Sequence, residues 1–424
     1  MQYIADLHIH SKYSRACSPQ LTLENISKYC AIKGVDVVAT GDFTHPIWFK
    51  EIETKLVEDG SGIYKLRNAD DKTRFVLSTE ISCIYSKSVP GQKEGSKKVR
   101  RLHIVVLAPD IDTVRKINET LGKIGNLRSD GRPILGLDAK RLAQIVFDIS
   151  PRCMVIPAHA WTPWFAVFGS KSGFDSLQEC FEEYTDKIYA IETGLSSDPP
   201  MNWRLSALDN VALISNSDAH SLPNIGREAN VFDLPELTYD QICDAIKDKD
   251  KKRFLYTIEF YPEEGMYHFD GHRDCAVCLP PSETRKQKGV CPKCKKYLTV
   301  GVLSRIEELA DRPEGFMPPE AIPYKSLVEL DKIIAESLNI KSRQSKGVQS
   351  EYDNLVKKGK NEMNVLLNLD YKELEKITSS KIVEGIRRVR EGKLIIRPGF
   401  DGQYGKIEIF SPAEREESFQ KKLL

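Results

Sequence analysis

The sequence predicts an α/β barrel of seven strand–helix units, followed by a small thiolate-bearing metal module and a mainly helical C-terminal region. Three observations predict it. Short apolar runs that end in polar residues recur from the N-terminus to Ser221 with amphipathic stretches between them. Two CxxC pairs follow close together, Cys275 with Cys278 and Cys291 with Cys294. Beyond a Pro-rich connector, apolar residues return at helical spacing.

The chain has 424 residues, 41% hydrophobic and 29% charged, which suits two or three domains and is too polar for a membrane protein. No apolar run nears the roughly 18 residues of a transmembrane helix, and MQYIADLHIH lacks the charged-then-apolar layout of a signal peptide. A cytoplasmic, nucleoid-associated protein without a membrane partner is expected. Because 62 basic residues balance 61 acidic ones, any nucleic-acid surface must arise from local clusters. Cys17, Cys30, Cys83, Cys153, Cys180 and Cys243 are scattered singly and read as reduced core residues.

The seven runs are YIADLHIH, VDVVATGDF, TRFVLSTEIS, RLHIVVLAP, CMVIPAHAW, IYAIETGLS and VALISNSDAHS. Helical stretches such as LENISKYCAIKG alternate with them, a rhythm that implies parallel strands. Most runs carry a polar or ionisable residue near the C-terminal end, where parallel barrels place their active sites. Two insertions break the rhythm. Residues 86–102 hold six basic residues (Lys87, Lys93, Lys97, Lys98, Arg100 and Arg101) against Glu94 alone, and their Gly, Ser and Pro content predicts a mobile loop overhanging the site. The second insertion spans residues 162–173.

The strand–helix pattern stops after Asp244, so the expected domains are a catalytic barrel at 1–244, a zinc-binding module at 245–311 and a mainly helical domain at 312–424. Four thiolates with this spacing suit a closed, tetrahedral structural Zn2+ site, leaving no open position for catalysis. Residues 268–301 are locally basic and include Arg285 and Lys286, a platform for phosphates. DRPEGFMPPEAIPY forms the connector to the helical domain.

Of eight histidines, His8, His10, His45, His103, His159 and His220 fall on or beside the seven runs. His8 and His10 stand two apart on a strand, share one face and can chelate a single ion. Asp218 and His220 repeat that spacing, while Glu80 and Asp42 close the runs STE and TGD. Buried together without cations these groups would be costly, so a multinuclear site for Zn2+, Mn2+ or Mg2+ is expected.

With HxH on the first strand, Glu after the third, His103 and His159 on later strands and a final DxH, the chain resembles the polymerase and histidinol phosphatase (PHP) superfamily. The resemblance implies a (β/α)7 barrel, phosphoester hydrolysis and two or three divalent ions. By that match His8, His10, Glu80 and Asp218 hold one ion, and Glu80, His103 and His159 a second, with Glu80 bridging. The third set departs from the superfamily pattern; His45, with His220 and Asp42, is its candidate. Arg15, Lys12 and Ser11 become candidate phosphate contacts.

A narrower resemblance runs along nearly the whole chain. GDFTHP, TGLSSDPPMNWRLSALD, IEFYPEEGMYHFDGHRDC, the CxxC pairs, FMPPEAIPY and EGIRRVREGKLIIRPGFDGQYGKI are similar to the endonuclease Q family of DNA-repair enzymes. It implies nicking 5′ of deaminated bases (uracil, hypoxanthine, xanthine) and at abasic sites. Metal-activated water would leave 3′-hydroxyl and 5′-phosphate ends, with Glu80, Asp218, His8 and His10 as catalytic residues. DNA containing deaminated bases is then the expected partner. A deaminated base carries a carbonyl where an amine stood, so its reader must donate a hydrogen bond. Gly399, Gly402 and Gly405 offer backbone N–H groups for this, Phe400 and Tyr404 stack on bases, and Arg387 and Arg388 contact phosphate. Trp161 and Trp164 are a second candidate wedge. The terminal QKKLL is similar in part to a sliding-clamp peptide, without the paired aromatics, and makes a clamp a candidate partner. The competing readings are a PHP phosphoesterase acting on small phosphorylated metabolites and a noncatalytic DNA-binding adaptor.

Overall fold

The computed structural model describes residues 1–67, 72–88 and 96–415. All seven runs are strands: β1 Gln2–Asp6, β2 Val37–Ala39, β3 Arg74–Ser88, β4 Lys97–Ala108, β5 Met154–Pro157, β6 Ala190–Glu192 and β7 Ala212–Ile214. The pairs β1–β2, β2–β3 and β6–β7 are parallel, as alternation with helices predicts. Strand β4 corrects that expectation, running antiparallel to both β3 and β5. Only residues 89–96 separate β3 from β4, fewer than the dozen or so that a crossover between parallel neighbours needs, so the two strands must reverse direction. The flanks of the basic insertion are strand rather than loop: β3 reaches Ser88 and β4 begins at Lys97. Lys93 and Glu94 lie outside the described residues.

Reversal still brings β4 to the shared mouth. His103 pairs with Ser82 in register, so a residue midway along β4 stands beside the C-terminal half of the buried part of β3. The barrel closes where β1 and the stretch after β7 meet, in a parallel bridge between Ile9 and Ala219. Below that bridge β1 instead pairs antiparallel with Ala229–Asp233. Two asparagines complete the ladder there. Asn216 Oδ1 accepts from Leu7 N at 2.8 Å, and Asn230 accepts from Ser215 N at 3.0 Å while donating to Ser215 O at 2.8 Å.

The first helix, Leu23–Lys33, starts where Thr22 caps Asn25 N and ends at left-handed Gly34; it buries Leu23, Ile26 and Cys30 against the barrel. Its last residue, Lys33, makes a buried 2.7 Å ion pair with Glu362 and so joins the barrel to the C-terminal helices. The sheet continues beyond residue 244, with Phe254–Glu259 pairing Ala229–Asp233 and then Tyr324–Ser326. A hairpin of Asp270–His272 and Val277–Leu279 opens the metal module. Helix Val302–Leu309 returns to the barrel, where Arg305 donates to the carbonyls of Phe168 and Phe174 at 3.1 Å each.

The C-terminal region is mainly helical, as expected, with helices Leu330–Ser337, Lys346–Lys358 and Ser380–Arg390 packed around Ile333, Ile334, Leu355, Ile386 and Phe410. It ends in a hairpin of Ile395–Arg397 with Lys406–Glu408. Cys30, Cys83, Cys153, Cys180 and Cys243 are buried, as expected of core residues. Among the described residues no helix is long and apolar enough to cross a membrane.

Candidate metal centre

At the mouth, residues far apart in the chain converge into two groups that share one carboxylate. In the first, His10 Nε2 lies 3.1 Å from Asp218 Oδ1 and 3.3 Å from Glu80 Oε2, and His8 Nε2 lies 3.7 and 3.8 Å from the same two atoms. In the second, Glu80 Oε1 is 2.9 Å from His103 Nδ1 and 3.2 Å from His159 Nε2. Each group can hold an ion, and Glu80 faces both with different oxygens. His8 Nε2, His10 Nε2 and Asp218 Oδ1 are buried without a hydrogen-bond partner. An orphaned polar atom costs about 1–3 kcal/mol, and three converging ones fit a cation that would satisfy them together. Burial alone would raise the Asp218 carboxyl, but His10 and His8 hold it well below the ordinary range, while burial pushes His103 down to about 4. Burial would lower His8, His10 and His159, but the carboxylates beside them raise all three, so a bound cation would take the place of their protons and leave the neutral imidazole that ligation needs.

The strand ends are bent to bring this set together. Asp42, His159 and Asp218 all adopt positive φ, strain of the kind that concentrates at functional sites. Gly194 is tight against His159, since a Cβ there would stand 2.6 Å from that residue's Cβ.

Behind the ligand atoms a second layer of acids orients the rings. Glu192 receives His8 Nδ1 at 3.0 Å, His159 N at 3.0 Å and Asn216 Nδ2 at 2.8 Å. Asp42 holds His10 Nδ1 at 2.9 Å. Such carboxylate–histidine pairs fix the tautomer and direct Nε2 to the ion. Glu192 was missed in the sequence although it closes a strand run as Glu80 does. Arg132, whose Nη1 stands 3.0 Å from Glu80 Oε2, was missed because it comes from a loop without periodicity.

The expected third set does not assemble. Asp42 is saturated by His10, by Ser11 N and Oγ at 2.7 Å and by Ser14 Oγ at 2.9 Å. His45 instead caps helix Pro46–Lys55 through Trp48 N and stacks on Tyr13 at 4.4 Å. His220 packs edge-on against His10 and belongs to neither ligand group. Three of the four expected zinc thiolates gather in the module, joined by a histidine. His272, Cys275, Cys291 and Cys294 converge, whereas Cys278 points to Pro398 O, with its Sγ 4.0 Å away. The hairpin register decides this. His272 and Cys278 lie on paired strands but not opposite each other, and His272 faces Cys294 at 3.8 Å.

The candidate nucleic-acid contacts divide by availability. Arg15, Lys97, Lys98 and Tyr404 are exposed. Arg285 and Lys286 are also exposed, and each pairs with an acid, Glu307 and Glu283. Arg101 is half-buried, and Arg387 pairs with Glu384 while lying over Tyr371. Arg100 is buried over Phe174 and donates to Gly173 O, so it faces no phosphate. Arg388 is committed to Glu414, Glu384 and Ile409 O. Gly399, Gly402 and Gly405 do not present free donors, because their N–H groups bond to the carbonyls of Glu263, Met266 and Glu264. Phe400 is half-buried against Gly271. Trp161 is a core residue bonded to Asn202 at 2.7 Å, and Trp164 is partly exposed, edge-on to Tyr267. The clamp-like tail lies outside the described residues.

A cavity of about 1000 Å³ runs from His159 and Asp218 to Tyr267, Lys332, Arg343 and Tyr404 of the later regions. Outside this molecule, the same architecture occurs in an endonuclease Q complexed with a 27-mer duplex substrate with an abasic lesion at the active site. That structure is 30% identical, with a TM-score of 0.83 and 98% of both chains covered. The chain belongs to the endonuclease Q family. The lesion-specific endonuclease PfuEndoQ from Pyrococcus furiosus, another endonuclease Q, agrees at TM-score 0.84 and 29% identity over 99% of both chains. Uncharacterized protein YqxK of Bacillus subtilis is 27% identical over 95% of this chain and 98% of its own. Uncharacterized protein MJ0043 of Methanocaldococcus jannaschii is 35% identical over 61% of this chain, and the match spans only 32% of that longer protein. Residues 203–250 match the family described as PHP-associated, and residues 329–393 that described as the MJ0043 C-terminal domain. The fold is thus the PHP-type barrel with a His/Cys metal module and a helical C-terminal region.

Proposed function

We propose that this endonuclease Q family member is a metal-dependent DNA endonuclease that cuts the phosphodiester 5′ of a deaminated base or at an abasic site. The observation that carries the reading is Glu80 standing between two ligand groups, with buried and unpartnered Nε2 atoms aimed at one of them. Divalent ions bound there would supply Lewis acidity toward a phosphoryl oxygen and a water nucleophile at neutral pH. His8, His10, Glu80 and Asp218 would hold one and Glu80, His103 and His159 the other, with Zn2+, Mn2+ and Mg2+ as candidates.

The chain's own residues do the rest. Glu192 and Asp42 lock His8 and His10 in one tautomer, and the strained backbone at Asp218 keeps its carboxylate at the mouth. The adjoining cavity has room for a nucleotide taken out of the stack, with Tyr267 and Tyr404 on its wall for stacking. His272, Cys275, Cys291 and Cys294 would hold a structural Zn2+ that keeps Arg285 and Lys286 on a rigid surface for the backbone. In this reading residues 1–244 carry the chemistry, 245–311 grip DNA and 312–424 contribute lesion reading.

The test uses labelled duplexes with one uracil, hypoxanthine or abasic site, or none, incubated with Mg2+, Mn2+ or Zn2+. Nicks beside the lesion with 3′-hydroxyl and 5′-phosphate ends are expected. Equal cleavage of the plain duplex would exclude lesion reading, and no cleavage of any duplex would exclude the endonuclease.

A further inference from the structure

Arg132 stands against the carboxylate that the two ligand groups share. Its Nη1 is 3.0 Å from Glu80 Oε2, and its side chain keeps 24% of its surface exposed while Glu80 is fully buried. The loop that delivers it is fastened to both halves of the ligand set. Arg132 N and Arg15 N each donate to Asp130 Oδ1 at 3.1 Å, and Gly131 N donates to Tyr13 O at 3.0 Å. Thr44 Oγ1 reaches Gly131 O at 3.3 Å, and Pro133 O accepts from Ser82 N at 3.0 Å, two residues beyond Glu80 on β3. Gly131 sits so close to the His10 support that a Cβ would fall 2.4 Å from both Asp42 Oδ2 and Ser14 Oγ. No side chain larger than hydrogen fits there. A guanidinium held this firmly beside reacting groups is preorganised rather than incidental.

The local charge points the same way. Four carboxylates contact the ligand cluster: Glu80 and Asp218 within it, Glu192 and Asp42 behind it. Two divalent cations would neutralise them, since neutral imidazole adds no charge. Arg132 then leaves one positive charge over, which balances the single negative charge of a phosphodiester. Asp42 and His45 are engaged elsewhere and assemble no third ligand group. Arg132 also has five N–H donors in a planar fork, and its bond to Glu80 uses one.

We infer that Arg132 is a catalytic residue that binds a non-bridging oxygen of the scissile phosphodiester, supplying the positive charge that a third ion would otherwise provide. The inference rests on the endonuclease reading and assigns a further contact to the same site. It differs from a role in merely propping Glu80, because a prop acts on ion binding and a phosphate ligand acts on the substrate's charge.

The experiment compares full-length wild type, R132K and R132Q on a duplex with one abasic site. The single-turnover rate is expected to fall roughly 10²–10³-fold in R132Q and less in R132K, with bound metal per chain unchanged by elemental analysis. With Ca2+ in place of the catalytic ion, R132Q is expected to bind the duplex about tenfold more weakly than wild type. That gap should vanish when the scissile linkage is an uncharged methylphosphonate. Unchanged rates, loss of ions from R132Q, or a gap that persists with the neutral linkage would each overturn the assignment. A wild type that nicks no abasic duplex would instead remove the endonuclease reading, and the two binding measurements would still decide whether Arg132 meets phosphate.

Discussion

The two metal-ligand clusters of this chain are built on opposite principles. The barrel cluster stands on strands whose flanks are packed independently, with Ile81, Ile104, Val106 and Ile156 buried beneath it, and its imidazoles are steered by Glu192 and Asp42. The His272–Cys294 cluster belongs to a module whose own buried apolar cluster, among the described residues, is Val277, Cys291 and Leu298, with Cys275 and Leu279 packed against it. In the first, the fold would support the ions; in the second, the ion would support the fold. Ions bound in the barrel would thus be free to act on a substrate, since their neighbours already hold the structure.

Glu80→Ala tests that contrast most strongly. It removes the carboxylate common to both barrel groups and is expected to lower nicking at least ~1000-fold, the equivalent of several kcal/mol of transition-state stabilisation. The thermal melt of the metal-free protein should barely move, and a collapse of the fold would break the comparison. Next comes the module. His272→Ala is expected to release the zinc and unfold residues around the hairpin, detected by a colorimetric zinc assay and by proteolysis, whereas Cys278→Ser should retain the metal. Zinc loss in Cys278→Ser would return that thiol to the ligand set.

A smaller effect is expected behind the barrel ligands. Asp42→Asn or Glu192→Gln should weaken metal affinity roughly 10–100-fold without abolishing it, as measured by metal titration. The smallest concerns pH. Burial raises the Glu259 carboxyl from its ordinary value to about 7. The folded state therefore holds its proton more tightly than the unfolded one, and this contribution to stability is present at acid pH and lost as pH rises from about 4.5 to 7. Denaturant unfolding of Glu259→Gln should show a flatter pH dependence across that window.

Much of the barrel was legible in the sequence because each strand is a short apolar run with polar residues at one end, and all seven runs became strands. HxH spacing placed His8 and His10 on one face without further information. The direction of β4 was not legible, since pairing after a hairpin is set by contact between segments and not by either segment alone. Asp42 looked like a ligand because its residue type allows it. Whether it is one depends on how much of its hydrogen-bond capacity Ser11 and Ser14 already use. The glycine hairpin near Gly402 had the composition of a base reader, yet its N–H groups are consumed by the backbone at 263–266.

The sequence by itself determined which residues have metal-ligating chemistry, where strands alternate with helices, and that a thiolate module divides barrel from helices. Those properties are local, read from side-chain type and spacing. The tertiary structure decided which of the candidates meet: Glu80 between two groups, His272 beside Cys275, Cys291 and Cys294, and Arg132 against Glu80. Convergence depends on register, on loop closure and on competition for hydrogen-bond partners among residues distant in the chain, and these exist only once the chain has folded.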